Sequence, residues 1–229
     1  MTASVDARPD PVVLRAASLY RFFRAGDEET LALQGVSLAV APGEILAVAG
    51  PSGSGKSTLL ACLAGIDEPD GGTVTVAGRR LSHRLEAERA RLRASLVGLL
   101  FQSANLLAHL TVARNIQLVR RLVRGPVATP VDDLLDQLGI GRRGGAYPAE
   151  LSGGELARAG LAVALANDPV VLLADEPTGE LDLATERAVL ELLRARARAG
   201  LAVVIASHSP AVAAAADRTV SLTDGRLDP

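Results

Sequence analysis

One segment constrains this chain more than any other: Gly50-Pro51-Ser52-Gly53-Ser54-Gly55-Lys56-Ser57, followed by Thr58. It comes directly after the apolar run at 45–49 and has the spacing G-x-x-x-x-G-K-[ST] of a phosphate-binding loop. Glycines let the backbone wrap a phosphate closely with its amides pointing inward, and a helix starting at Lys56 adds positive potential at its N-terminus. In that geometry Lys56 reaches the β and γ phosphates and the Ser57 hydroxyl ligates Mg²⁺. A Gly/Ser turn ahead of an ordinary helix satisfies the same spacing. Against it, Lys56 is the only lysine among 24 Lys and Arg residues. A chain that uses arginine for every other cation uses a compact ammonium where a forked guanidinium would not fit between phosphates.

The remaining composition suits such a loop. Nearly half of the 229 residues are apolar, chiefly Ala, Leu and Val, as expected of a parallel sheet buried on both faces. A formal net charge of −2 gives no overall basic field for nucleic acid or an anionic membrane, so no nucleic-acid partner is expected. The single cysteine, Cys62, cannot close an internal disulfide and reads as a small buried apolar residue in a chain of the reducing cytosol. Residues 1–11 have neither the basic start nor the apolar stretch of a signal peptide and read as a frayed arm. Polar residues such as Asn167-Asp168 and Ser207-His208-Ser209 cut every apolar stretch below the roughly 18 residues of a membrane span. Any membrane role therefore has to come through a partner.

Along the chain, 12–23 and 32–40 read as β separated by the polar turn AGDEET, and 45–49 as a short strand. A helix is predicted over 56–64, stopped by Gly65, then a turn at 70–72 and a β-like run at 73–78. Residues 83–96 read as an amphipathic helix leading into a strand at 97–101. From about 102 to 147 the strand signal disappears and helices near 111–123 and 131–138 take over, which suggests a helical subdomain, about 103–152, inserted in one 1–229 α/β domain. Helix 156–166, strand 170–174, helix 184–198 and strand 201–206 then alternate as a wound sheet does.

Three further segments carry potential chemistry. The strand 170–174 ends in Asp175-Glu176, where Asp175 would hold Mg²⁺ and Glu176 would face an attacking water, although an acidic pair before Pro177 is also a common strand-end turn. Ser152-Gly153-Gly154-Glu155 has the spacing of a capping box, and equally that of a second anion site at a helix N-terminus. His208, just past the strand 201–206, reads as a γ-phosphate contact or as a lone surface histidine.

Taken in order, GPSGSGKST, FQ, LSGGE, VVLLADEPTGELD and SH resemble the ATPase subunits of ABC transporters over almost the whole chain. The resemblance implies a phosphate-loop NTPase core of ABC type with an N-terminal β subdomain. It also implies that Gln102 is a loop glutamine touching Mg²⁺ and water and sensing a membrane partner, and that Phe23 stacks on adenine. Asp182 corresponds to the aspartate acting across a dimer. ATP is then sandwiched between the phosphate loop of one subunit and Ser152 to Glu155 of the other, in a homodimer or pseudo-symmetric dimer driving an integral membrane permease. Such a subunit is cytoplasmic and peripheral on the inner face of the membrane. GIDEPDGGTVTVAGRRL, FQSANLLAHLTVARNI and the closing DGRL most resemble the subgroup of lipoprotein release, macrolide-type export and cell division. A motor acting on cell-wall or division machinery without moving cargo is the alternative within that subgroup. The chain departs from the family after the signature, with Leu156 and Ala157 where polar residues are usual and Val163 in place of an arginine.

Overall fold

The computed structural model describes residues 12–25, 28–101, 105–123, 127–179 and 181–228. The N-terminal arm expected at 1–11 lies outside them. The chain opens with an antiparallel pair, β1 (Leu14–Ala25) and β2 (Glu28–Val40), then β3 (Ile45–Ala49), α1 (Lys56–Leu63), β4 (Gly71–Val76) and the short β5 (Arg79–Arg80). The strands bracketing AGDEET run further than expected, because Ala25 pairs with Glu28 and Arg24 with Glu29. Polar composition does not interrupt a hairpin whose backbone bonds are satisfied across the ladder.

After α2 (Glu86–Leu96) and β6 (Val97–Leu100), the described chain up to residue 152 is helical or irregular, with α3 (Val112–Arg120) and α4 (Val131–Gln137). The wound region resumes as α5 (Gly153–Ala164), β7 (Val171–Asp175), α6 (Leu183–Arg198) and β8 (Ala202–Ala206). It closes with α7 (Pro210–Ala215), β9 (Arg218–Thr223) and β10 (Arg226–Leu227).

Two sheets result. One is antiparallel, in the order β2-β1-β4-β5, and the other runs β10-β9-β3-β8-β7-β6 with every pair parallel except β10 with β9. Successive side chains of a strand point to opposite faces, and here each face has its own core. Ile45, Ala47, Leu172, Ala174, Val203 and Ile205 pack with α3 to α7. Leu46, Val48, Val171, Leu173, Ala202 and Val204 pack with α1 and the antiparallel sheet. This two-sided burial is why these strands are continuous apolar runs. Among the described residues no helix is long and apolar enough to cross a membrane.

Candidate functional site

The C-terminal ends of β3, β7 and β8 converge on one cleft of about 810 Å³. Gly55 N-caps α1 at φ 103, and a Cβ there would stand 2.5 Å from Ala32 O, so glycine is required on both conformational and steric grounds. α1 carries no acidic residue in its first turn, which leaves its free N–H groups unopposed at the cleft. Gly50, Pro51, Ser52, Gly53, Gly55, Lys56, Ser57 and Thr58 all line it. Ser54 does not. It is buried beneath the loop at 3% exposure, and its carbonyl accepts from Gly225 N at 3.1 Å, so its place is to tie the loop to the β9–β10 turn. Lys56 Nζ donates to Gly50 O and Pro51 O at 2.8 Å each, holding the ammonium at the loop's mouth.

Across the cleft stand Asp175, Glu176 and His208. Glu176 has φ 46, the left-handed region that costs a non-glycine residue on the order of 1–3 kcal/mol and is concentrated at functional sites. The surroundings over-determine this conformation. Glu176 N donates to Ala206 O at 2.9 Å, extending the β7–β8 ladder. Ser207 Oγ donates to Glu176 Oε2 at 2.8 Å, and His208 donates to Oε1 from Nδ1 at 2.7 Å and from its backbone N at 3.3 Å. Oε2, with one donor among the described residues, keeps a lone pair for a water. Nδ1 is committed to Glu176, so Nε2 is the ring atom left to meet another group.

Phe23 also lines the cleft, 40% exposed, with the Arg21 guanidinium 4.7 Å from its ring centroid. Arg21 is held in turn by Asp70 at 3.2 Å. Asp70 Oδ2 accepts from Phe22 N at 2.8 Å, and this bond, followed by the Arg21 contact, keeps the Asp70 carboxyl below its usual range. Gln102 lies outside the described residues.

The signature residues lie elsewhere on the chain and do not line this cleft. Ser152 N-caps α5 in a full capping box: Glu155 N donates to Ser152 Oγ at 3.3 Å, and Ser152 N donates to Glu155 Oε2 at 2.9 Å. That backbone bond, with Arg143 Nε donating to Glu155 Oε1 at 2.7 Å, lowers the Glu155 carboxyl to about 2. Gly153 faces open space, whereas a Cβ on Gly154 would stand 2.7 Å from Thr185 Cγ2. Thr185 Oγ1 donates to Asp182 Oδ2 at 2.6 Å, and Asp182 N-caps α6. Close approach at Gly154 thus gathers Ser152, Gly153, Gly154, Glu155 and Asp182 into a second cluster.

A metal is implied by Ser57 and Asp175, and the donor set tests that implication. Among the described residues no group of three or more His, Cys, Asp and Glu forms a cage of its own. A hydroxyl and a carboxylate on one cleft suit a hard cation that completes its shell with water and phosphate oxygens.

Sequence reasoning missed Ser207, Thr178 and Glu186. Glu186 carried a usable signal, as the only charged residue on the buried stripe of α6, with Val189, Leu190, Leu193 and Ala197.

Residues 33–179 match the family model described as ABC transporter. The chain is 41% identical over 223 residues to the lipoprotein-releasing system ATP-binding protein LolD 2 of Caulobacter vibrioides, covering 96% of this chain and 97% of that one. It is 40% identical over 220 residues to the macrolide export ATP-binding/permease protein MacB of Rhodospirillum rubrum, 95% of this chain but only 34% of that longer protein. A bacterial ABC transporter cassette solved as a dimer superposes with a TM-score of 0.86 at 31% identity, covering 94% of this chain and 97% of the other. Its dimer in a post-hydrolysis state bound to ADP and Pi superposes at 0.85. With a family model matched over more than half of the chain and a relative 41% identical across almost all of it, the chain belongs to the ABC transporter family as one of its ATP-binding subunits.

Proposed function

We propose that the chain hydrolyses ATP with Mg²⁺ at a site shared between two subunits, and that each cycle drives a separate membrane permease. The observation that carries this reading is the convergence of Lys56, Asp175, Glu176 and His208 on one cleft. The loop amides and Lys56 bind the phosphates, while Ser57 and Asp175, joined by Gln102, would hold Mg²⁺, which would supply charge neutralisation there. Phe23 stacks on adenine. Glu176 takes the proton of the attacking water through Oε2, and His208, oriented by its Nδ1 bond, meets the γ-phosphate through Nε2. Ser152 to Glu155 and Asp182 complete the partner's site, which accounts for their lying off the chain's own cleft.

The permease has a candidate seat between α2, β6, α3 and α5, a largely apolar groove of about 400 Å³. Leu99 and Asn105, which line it, flank Gln102 in the sequence, which supports a partner-sensing role for that glutamine. Val163, the departure from the family's arginine, is part of the lining and leaves it more apolar. We assign the chain to the inner face of the membrane, with residues 103–152 acting as a helical subdomain. Its cargo step belongs to export or lipoprotein release, in line with the LolD and MacB relatives.

Mixing two inactive variants tests the shared site. Ser152→Arg spoils the group offered to the partner, and Lys56→Ala spoils the chain's own loop. Each is expected to be inactive alone. Together they form heterodimers with one intact composite site and recover part of the activity. A fully active Ser152→Arg, or a mixture as inactive as its parts, contradicts the reading.

A further inference from the structure

Glu186 lies in α6, one turn beyond its N-cap Asp182, and is 7% exposed. Its Oε1 accepts from Thr178 Oγ1 at 3.0 Å and from Ser209 Oγ at 2.7 Å. Thr178 is two residues past Glu176 and buried, and Ser209 directly follows His208. Ser209 N in turn donates to Ser207 Oγ at 3.1 Å, and Ser207 Oγ donates to Glu176 Oε2. The segment leaving Glu176 and the segment leaving His208 are therefore fastened to the same oxygen atom.

A buried carboxylate is an expensive fastener. Among the described residues it has no cationic partner, and a neutral or apolar side chain fills such a space at lower cost. What a carboxylate adds is acceptor strength, since bonds to it are about twice as strong as those between neutral groups. Glu176 has a use for that strength. Its positive φ relaxes unless both flanking segments are held, and relaxation would change its separation from His208.

We infer that Glu186 is a positioning residue for hydrolysis, holding Glu176 and His208 in register from beneath. This rests on the reading of Glu176 as the residue that activates water. The test compares Glu186→Met, which fills the space without an acceptor, with Glu186→Gln, which keeps Oε1. Thr178→Val removes only one of the two donors and stands in should the methionine variant not fold. On the full chain, Glu186→Met is expected to lower kcat by about ten- to a hundredfold, the scale of an ångström misplacement of a reacting group. KM for ATP should stay at its wild-type value and unfolding should remain a single transition, while Glu186→Gln, a weaker acceptor in the same place, recovers part of the rate and lies between the methionine variant and the wild type. Three outcomes overturn the inference: wild-type kcat in Glu186→Met (or in Thr178→Val where it stands in), kcat and ATP affinity falling together, or a glutamine variant as slow as the methionine one. Glu176→Gln, assayed alongside, separates the two claims. If it turns over normally, the role of Glu176 itself is wrong. If it is inactive while Glu186→Met is not, only the positioning role fails.

Discussion

Lys56 is the one lysine of the chain, and the proposed grip on phosphate depends on it. Its ammonium is bracketed by Gly50 O and Pro51 O at 2.8 Å, a space matched to a compact point charge with rotatable donors. A guanidinium is planar and larger, and keeping the charge does not keep the fit. Lys56→Ala is expected to remove most ATP affinity, and Lys56→Arg to fail as well, by equilibrium binding of a fluorescent ATP analogue. Near-normal binding and turnover by the arginine variant would refute the geometric argument. Lys56 was legible because its motif is contiguous. Glu176 was legible as a residue type at a strand end, but neither its φ of 46 nor its bonds to Ser207 and His208 were, because those partners come from a segment about thirty residues away. Spacing along a chain says nothing of which loops meet at a sheet edge.

At the scale of elements, α5 shows that two readings of one motif are compatible. Ser152 and Glu155 form an ordinary helix-start capping box, and the same residues are the proposed anion site. The cap has a pH signature. The folded Glu155 carboxyl lies at about 2, below its ordinary value of 4.5. A depressed carboxyl contributes stability that is fully present above the unfolded value and is lost as pH falls toward the folded one. The stability difference between the wild type and Glu155→Gln should therefore be constant above about pH 4.5 and shrink between there and about pH 2, measured by denaturant unfolding. A difference that does not change over that window would mean that the cap is not ionic. The wound core was readable from its apolar runs, since strands buried on both faces leave no polar alternation. α7, β9 and β10 were not. Pro210–Ala215 is too short and too rich in alanine for a periodic signal, and β9 owes its place to parallel pairing with β3. The AGDEET hairpin was read as a longer turn because polar residues at an edge resemble a loop until the ladder partner is known.

For the whole molecule, the decisive feature is the separation of two clusters on one chain. The cleft holds the groups proposed to bind phosphate and activate water, and a second cluster, drawn together where Gly154 meets Thr185, holds Ser152 and Asp182. The sequence motifs named both sets, but their division between cleft and second cluster emerged only from the fold. In the proposed cycle dimerisation around ATP joins them, and hydrolysis releases the dimer. Glu176→Gln measures this most directly. It keeps the side-chain shape and removes the base, which contributes about 10² to 10⁴ in rate, equivalent to roughly 3 to 5 kcal/mol of barrier. Lys56, Ser57 and Asp175 remain to hold the nucleotide. Turnover is expected to fall at least about a hundredfold, ATP binding to persist, and ATP with Mg²⁺, but not ADP, to move the variant from monomer to dimer on sizing chromatography. A variant that hydrolyses ATP near the wild-type rate, or that binds ATP and stays monomeric, would contradict the proposed cycle.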